Sequence, residues 1–166
     1  IRDGLDYEKW LQNFKDGVAI KRNSRQMRLD VTLTTPGLLE VKNLFRLSKR
    51  FNVEMLTKVV FTFSPDIVLS PLALPRKLLN EIVDELLEFI EPRADRNQKS
   101  LVDVLKNLKT RPNIEETWPE TFKKELQEGK IYQEDIGRLR RDYKKVTLPQ
   151  ILSQDDRLID WWEAVG

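Results

Sequence analysis

MRLDVTLTTPGLLEVK, residues 27–42, is the stretch on which the fold turns. Its first half alternates. Met27, Leu29, Val31 and Leu33 share one side of an extended chain, and Arg28, Asp30, Thr32 and Thr34 share the other, the period of a half-buried strand. Thr35-Pro36-Gly37 then makes a turn, and two readings of residues 38–51 compete. As a strand, Leu39 and Val41 face a core while Glu40 and Lys42 point outward together. As a helix started by Thr35 and Pro36, the apolar set is Leu38, Val41, Leu44 or Phe45, and Phe51. A Pro-Gly turn after a strand favours a hairpin, so the expectation is a strand to Asn43 followed by a helix to Phe51.

Upstream, Tyr7, Trp10, Leu11 and Phe14 fall at helical spacing, Gly17 is placed to stop that helix, and Val18-Ala19-Ile20 reads as a short strand. Downstream, Thr57–Phe63 is β-branched and aromatic and stops at Ser64-Pro65-Asp66, so it reads as a buried strand. After Ser70 the pattern becomes helical. Leu78, Leu79, Ile82, Val83, Leu86, Leu87 and Ile90 form one stripe, with Glu81, Asp84, Glu85 and Glu88 outside it and Glu91-Pro92 as its end. Ser100 with Asp103, and Thr117 with Glu120, resemble capping boxes, the second leading Trp118, Phe122 and Leu126 down one face to Gly129. Tyr132, Ile136, Leu139 and Tyr143 continue at helical spacing. Ser153 with Asp156 opens a last short helix carrying Leu158, Trp161 and Trp162. The expected fold is α/β (α+β): a small mixed sheet with flanking helices in residues 1–70, then an all-helical region in residues 71–166.

The totals narrow the chemistry. The 166 residues hold neither Cys nor His, which removes disulfides, Cys- or His-based zinc sites, Cys nucleophiles and His-based triads. Carboxylates, Lys, Tyr, Ser and Thr remain, with hard cations that prefer oxygen ligands. The net charge is only +2, but residues 1–60 carry 12 Lys and Arg against 7 Asp and Glu. The basic excess therefore lies in the third that holds the alternating stretch. No window reaches the ~18 apolar residues of a membrane span, and no signal peptide opens the chain. An intracellular protein, cytoplasmic or nuclear, is expected.

If residues 38–42 are a strand, Glu40 and Lys42 point into one cleft, and Asp30 on the neighbouring strand reaches it. Glu8, on the first helix, can add a third carboxylate. Carboxylates that hold Mg²⁺ or Mn²⁺ with open positions neutralise a scissile phosphate and activate water, and a Lys beside the metal orients that water. Asp30, nine intervening residues and Glu40-Val41-Lys42, in a helix–strands–helix–strand order, resemble the PD-(D/E)xK nuclease superfamily over residues 5–66. Leu29 stands where the Pro of the family's name would be. The resemblance implies Asp30 and Glu40 as metal ligands with Glu8 as the helix-borne acid, Lys42 as the catalytic lysine, and the Val41 carbonyl as a further ligand. It also implies a metal-dependent nuclease acting on DNA or RNA.

Lys21, Arg22, Arg25 and Arg28 flank this site and are the phosphate-binding candidates. The helical region is the part expected to shape access or to dock a protein partner. The competing reading is a non-catalytic interaction module, a helical subunit of a larger nucleic-acid-processing complex. A third is a nuclease-like core that binds without cutting. The acid-x-Lys triplet itself recurs at Glu128-Gly129-Lys130 and Asp142-Tyr143-Lys144, so strand context alone singles out the first. A continuous helix over residues 37–51 would remove that context.

Overall fold

A computed structural model describes residues 6–23, 26–143 and 145–166. Asp6 caps helix α1 (Tyr7–Ile20) by accepting the Lys9 N–H at 3.0 Å. The helix runs through Gly17 and takes in Val18–Ile20, where the sequence pattern predicts a stop and a short strand. No strand among the described residues lies beside Val18–Ile20, so their backbone groups stay in the helical ladder. Gly17 marks a close approach instead: a Cβ there would stand 2.8 Å from the end of the Met27 side chain.

Strand β1 (Arg28–Leu33) follows the alternation, burying Leu29, Val31 and Leu33 and exposing Arg28, Asp30 and Thr32. The next segment departs from expectation. Pro36–Glu40 is a 3-10 turn that passes directly into helix α2 (Val41–Phe51). Pro36 supplies the preset φ of a helical first turn, and Leu38, Val41, Phe45 and Ser48 form the buried stripe. Helical spacing buries more of the segment than strand alternation would, and it wins.

Asn52, at φ 47°, ends α2 in the left-handed region and turns the chain at once into strand β2 (Glu54–Val59). The strands pair in parallel from Arg28↔Glu54 to Leu33↔Val59. The sheet thus has two strands joined by a crossover helix rather than by a hairpin. The strand predicted over Thr57–Phe63 starts three residues earlier and stops at Val59, which leaves Phe61 and Phe63 outside the ladder. Leu29, Val31, Leu33, Met55 and Thr57 face the core, while Arg28, Asp30, Thr32, Leu56 and Lys58 face solvent.

The helical region comes next: α3 (Arg76–Ile90), α4 (Lys99–Thr110), α5 (Ile114–Thr117), α6 (Pro119–Asp142), α7 (Leu148–Leu152) and α8 (Asp156–Ala164). The α3 stripe is buried as its pattern predicts. The capping boxes, however, are Asp95/Gln98, Asn113/Glu116 and Thr147/Gln150. Ser100, a cap by its sequence pattern, accepts the Thr57 N–H at 2.9 Å on the outer edge of β2. Buried side chains from Phe14 to Val165 belong to one cluster, which spans both sides of residue 70. None of the described helices is long and apolar enough to cross a membrane.

Gly129 does not end a helix, because α6 continues to Asp142. A Cβ there would lie 2.9 Å from Ile67 Cγ2 and 3.0 Å from the Pro65 carbonyl oxygen. That overpacking costs about 1–3 kcal/mol, more than the roughly 1 kcal/mol alanine gains over glycine in a helix. Gly129→Ala is therefore expected to lower the melting temperature, as read by circular dichroism.

Asp155 caps α8 by accepting the Arg157 N–H, and Arg157 bridges it to Glu85 of α3 at 2.7 and 2.5 Å. The Arg157 hydrogen bond holds the Asp155 carboxyl below its ordinary pKa. A depressed folded-state pKa gives stability that is full above the unfolded value of 3.8 and is lost as pH falls through the folded one. Asn caps a helix as well as Asp, so Asp155→Asn isolates the charge. Thermal melts should show it less stable than wild type by about 0.5–1 kcal/mol at pH 7, with the difference shrinking as pH falls below the unfolded value of 3.8.

Candidate functional site

The structure disperses the carboxylates that a strand at residues 38–42 would have gathered. Asp30 stands at the middle of β1 on the solvent face of the sheet, 3.7 Å from Lys58 Nζ of β2. Glu40 ends the 3-10 turn, and its Oε2 accepts the Asn43 Nδ2–H at 3.0 Å. Residues two apart in a helix diverge by about 200°, so Lys42 does not share a face with Glu40. It reaches the other way, to the ring of Phe89 on α3, with Nζ 5.6 Å from the centroid. Glu8 is exposed in the first turn of α1, where its charge suits the helix N-terminus. Val41 is fully buried.

The pairs that do form are Asp30 with Lys58 and Glu40 with Asn43, and no described group of three or more carboxylates can hold a metal ion. Among the described residues, Asp30, Glu40 and Glu8 are therefore not gathered into one metal-holding group, and no catalytic step is derived through such an ion.

The four basic candidates do not converge either. Lys21 donates to the carbonyls of Phe51 and Asn52, capping the C-terminal end of α2, and burial holds its pKa below the ordinary lysine value. Arg22 and Arg28 are exposed, and Arg25 lies outside the described residues. A different set of cations is brought together. The guanidinium carbons of Arg46 and Arg93 each lie 4.9 Å from the Phe89 centroid, beside Lys42. They cover the Phe89 ring, which meets Phe45 of α2 in an edge contact and so joins α2 to α3.

An exposed aromatic cluster lies past the end of β2. Phe61, Phe63 and Trp118 touch one another pairwise, with centroid separations of 5.2, 5.8 and 5.4 Å. All three are exposed, at 38%, 47% and 40%. The Arg111 guanidinium lies 5.2 Å from the Phe61 centroid. Helical register predicts Trp118 as a core anchor, but it stands at the corner between α5 and α6, outside the stripe of either. Trp161 and Trp162 are buried as expected. The signal for the cluster is the Phe61-x-Phe63 spacing directly after a strand, which keeps two rings on one side once the ladder has ended.

No family model, curated protein or solved structure matches the chain.

Because Asp30 and Glu40 are separately partnered, adding ~5 mM Mg²⁺ should leave the melting temperature where chelator leaves it, since an ion that does not bind the native state cannot stabilise it. A rise with Mg²⁺ that Asp30→Asn removes would show that a metal site forms at this strand.

Proposed function

We propose that the chain is a non-catalytic interaction module that docks a protein partner through Phe61, Phe63 and Trp118. The observation that carries this reading is the mutual contact of three exposed rings with a guanidinium beside them. Aromatic residues and Arg dominate binding hot spots because they offer large contact area with little side-chain freedom to lose. Here the rings fix one another before any partner arrives, so little ordering entropy remains to oppose binding. Solitary exposed apolar residues carry no such meaning, but a contiguous patch does.

The surroundings favour protein over nucleic acid. Glu115, Glu116 and Glu120 flank Trp118 in sequence, and Ser64 donates to Glu128 at 3.3 Å beside Phe63. Glu116 is paired with Arg76 and Glu128 with Lys124, so Glu115 and Glu120 are the acids that repel phosphates, although the rings themselves suit base stacking. Arg111 forms no ion pair within the described residues. The partner that fits presents an apolar side chain to the rings and a carboxylate to Arg111.

A photo-crosslinking phenylalanine analogue in place of Phe63 should give one discrete protein adduct in cells, and the same analogue in place of Lys77, whose side chain is 91% exposed, should not. Once that partner is in hand, Trp118→Ala should weaken binding by roughly 2 kcal/mol or more, about thirtyfold in Kd. Crosslinking to nucleic acid would overturn the reading. So would Mg²⁺- or Mn²⁺-dependent cleavage of DNA or RNA abolished by both Glu40→Ala and Lys42→Ala.

A further inference from the structure

The two edges of the sheet differ. Along a strand, each residue directs its N–H and C=O to the same side, and successive residues alternate sides. The Val60 N–H donates to the Leu33 carbonyl at 2.9 Å. Leu29, Val31 and Leu33 therefore spend their backbone groups on β2, while Arg28, Asp30 and Thr32 direct theirs away from it. On β2 the outward Thr57 N–H donates to Ser100 of α4, the helix that packs against that strand. On β1, no described donor or acceptor meets the outward backbone groups of Asp30 and Thr32.

Beside that edge runs a groove of about 400 Å³, with Trp10 and Phe14 of α1, Leu44 of α2, and Leu29 and Val31 of β1 as its apolar lining. Helix α1 is held over the groove from its far side, through the Phe14–Phe51 ring contact and the Lys21 bonds to the end of α2. At the outer lip, Arg28 stands opposite Glu54 in the register and makes no ion pair with it. Asp30 is already engaged by Lys58.

We propose that the open edge of β1 seats an extended segment of a protein partner, added to the sheet as a third strand. The repeat of unpaired N–H and C=O groups is matched by another extended backbone and by little else. The segment's inward residues are apolar, to fill the space against Trp10, Phe14 and Leu44. Its outward residue beside Arg28 is a carboxylate. This surface is separate from the aromatic cluster, and the inference stands without it.

The test is residue-resolved amide hydrogen exchange on the whole chain. In the free protein, Val31 and Leu33 should be protected by β2, whereas Asp30 and Thr32 should exchange freely. The probe is the acetylated, amidated peptide Lys-Val-Glu-Val-Thr-Ile-Thr. At up to ~1 mM it should slow exchange at Asp30 and Thr32 by at least ~10-fold. Its fully N-methylated analogue, which cannot pair, should have no effect.

Thr32→Pro removes only an outward N–H, which an edge strand tolerates. That variant should keep its melting temperature and lose the peptide's effect at Asp30. Arg28→Glu should weaken binding of the same peptide. No protection at Asp30 and Thr32 in folded wild type would overturn the proposal. So would protection in the free chain that accompanies a dimer in sedimentation, because β1 would then be pairing with its own copy. Protection that Trp118→Ala abolishes would place the peptide on the aromatic cluster and overturn it as well.

Discussion

The turn from α2 into β2 is held by a run of buried hydrogen bonds on which the rest of the molecule depends. Gln98 Nε2 donates to Ser48 Oγ at 2.8 Å, and Ser48 Oγ donates to the Val53 carbonyl at 2.6 Å. Both side chains are fully buried. Asn97 adds a bond to the Asn52 side chain at 2.8 Å. Together these groups fix Asn52 in its left-handed conformation and tie the turn to the entry of α4. The buried side chains of this network satisfy one another, and that is what makes such a network specify one geometry rather than destabilise it. With Asn52 reversing the chain in place, β2 can only return alongside β1 in the same direction.

That parallel return has consequences on both faces of the sheet. A parallel pair needs a crossover, and α2 is that crossover, which is why Glu40 and Lys42 lie on helical backbone. Parallel sheets are ordinarily covered on both faces. Here helices cover one face, and the other shows Arg28, Asp30, Thr32, Leu56 and Lys58 to solvent. On the outer edge of β2 the Thr57 N–H is taken by Ser100, and among the described residues no such bond is made on the outer edge of β1. A short strand with charged residues on its open side resists indiscriminate pairing while leaving the ladder available to a matched partner.

Much of this was legible in the sequence, and the failures have common physical causes. The β1 alternation and the α3 stripe are readable because a single period dominates each. Residues 37–51 are not, because Pro36 serves a hairpin turn and a helical first turn equally well. The deciding fourth member of the helical stripe is Ser48, a polar residue that takes a core position only through Gln98 and Val53. No local pattern announces that partner fifty residues away. Gly17 and Gly129 have the sequence context of helix stops, yet each sits where another segment approaches within about 3 Å of an added Cβ. Ser100 matches a capping pattern and is spent on a strand edge. In each case a residue with two local uses is assigned by a contact distant in sequence.

The nuclease-like pattern shows the same ambiguity at the level of function. Asp30 and Glu40-Val41-Lys42 have the family's spacing, but spacing specifies a site only when the backbone between the residues is also specified. On two adjacent strands those side chains would converge. With a 3-10 turn leading from β1 straight into a helix, Asp30 faces solvent on the sheet, Glu40 bonds to Asn43 just beyond its own turn, and Lys42 covers Phe89 on α3. Lys42 is then one of three cations around a ring that joins two helices, a packing position that long basic side chains fill well because their stems are apolar. The same three residues thus make separate local contacts, and none of them joins the aromatic corner after β2.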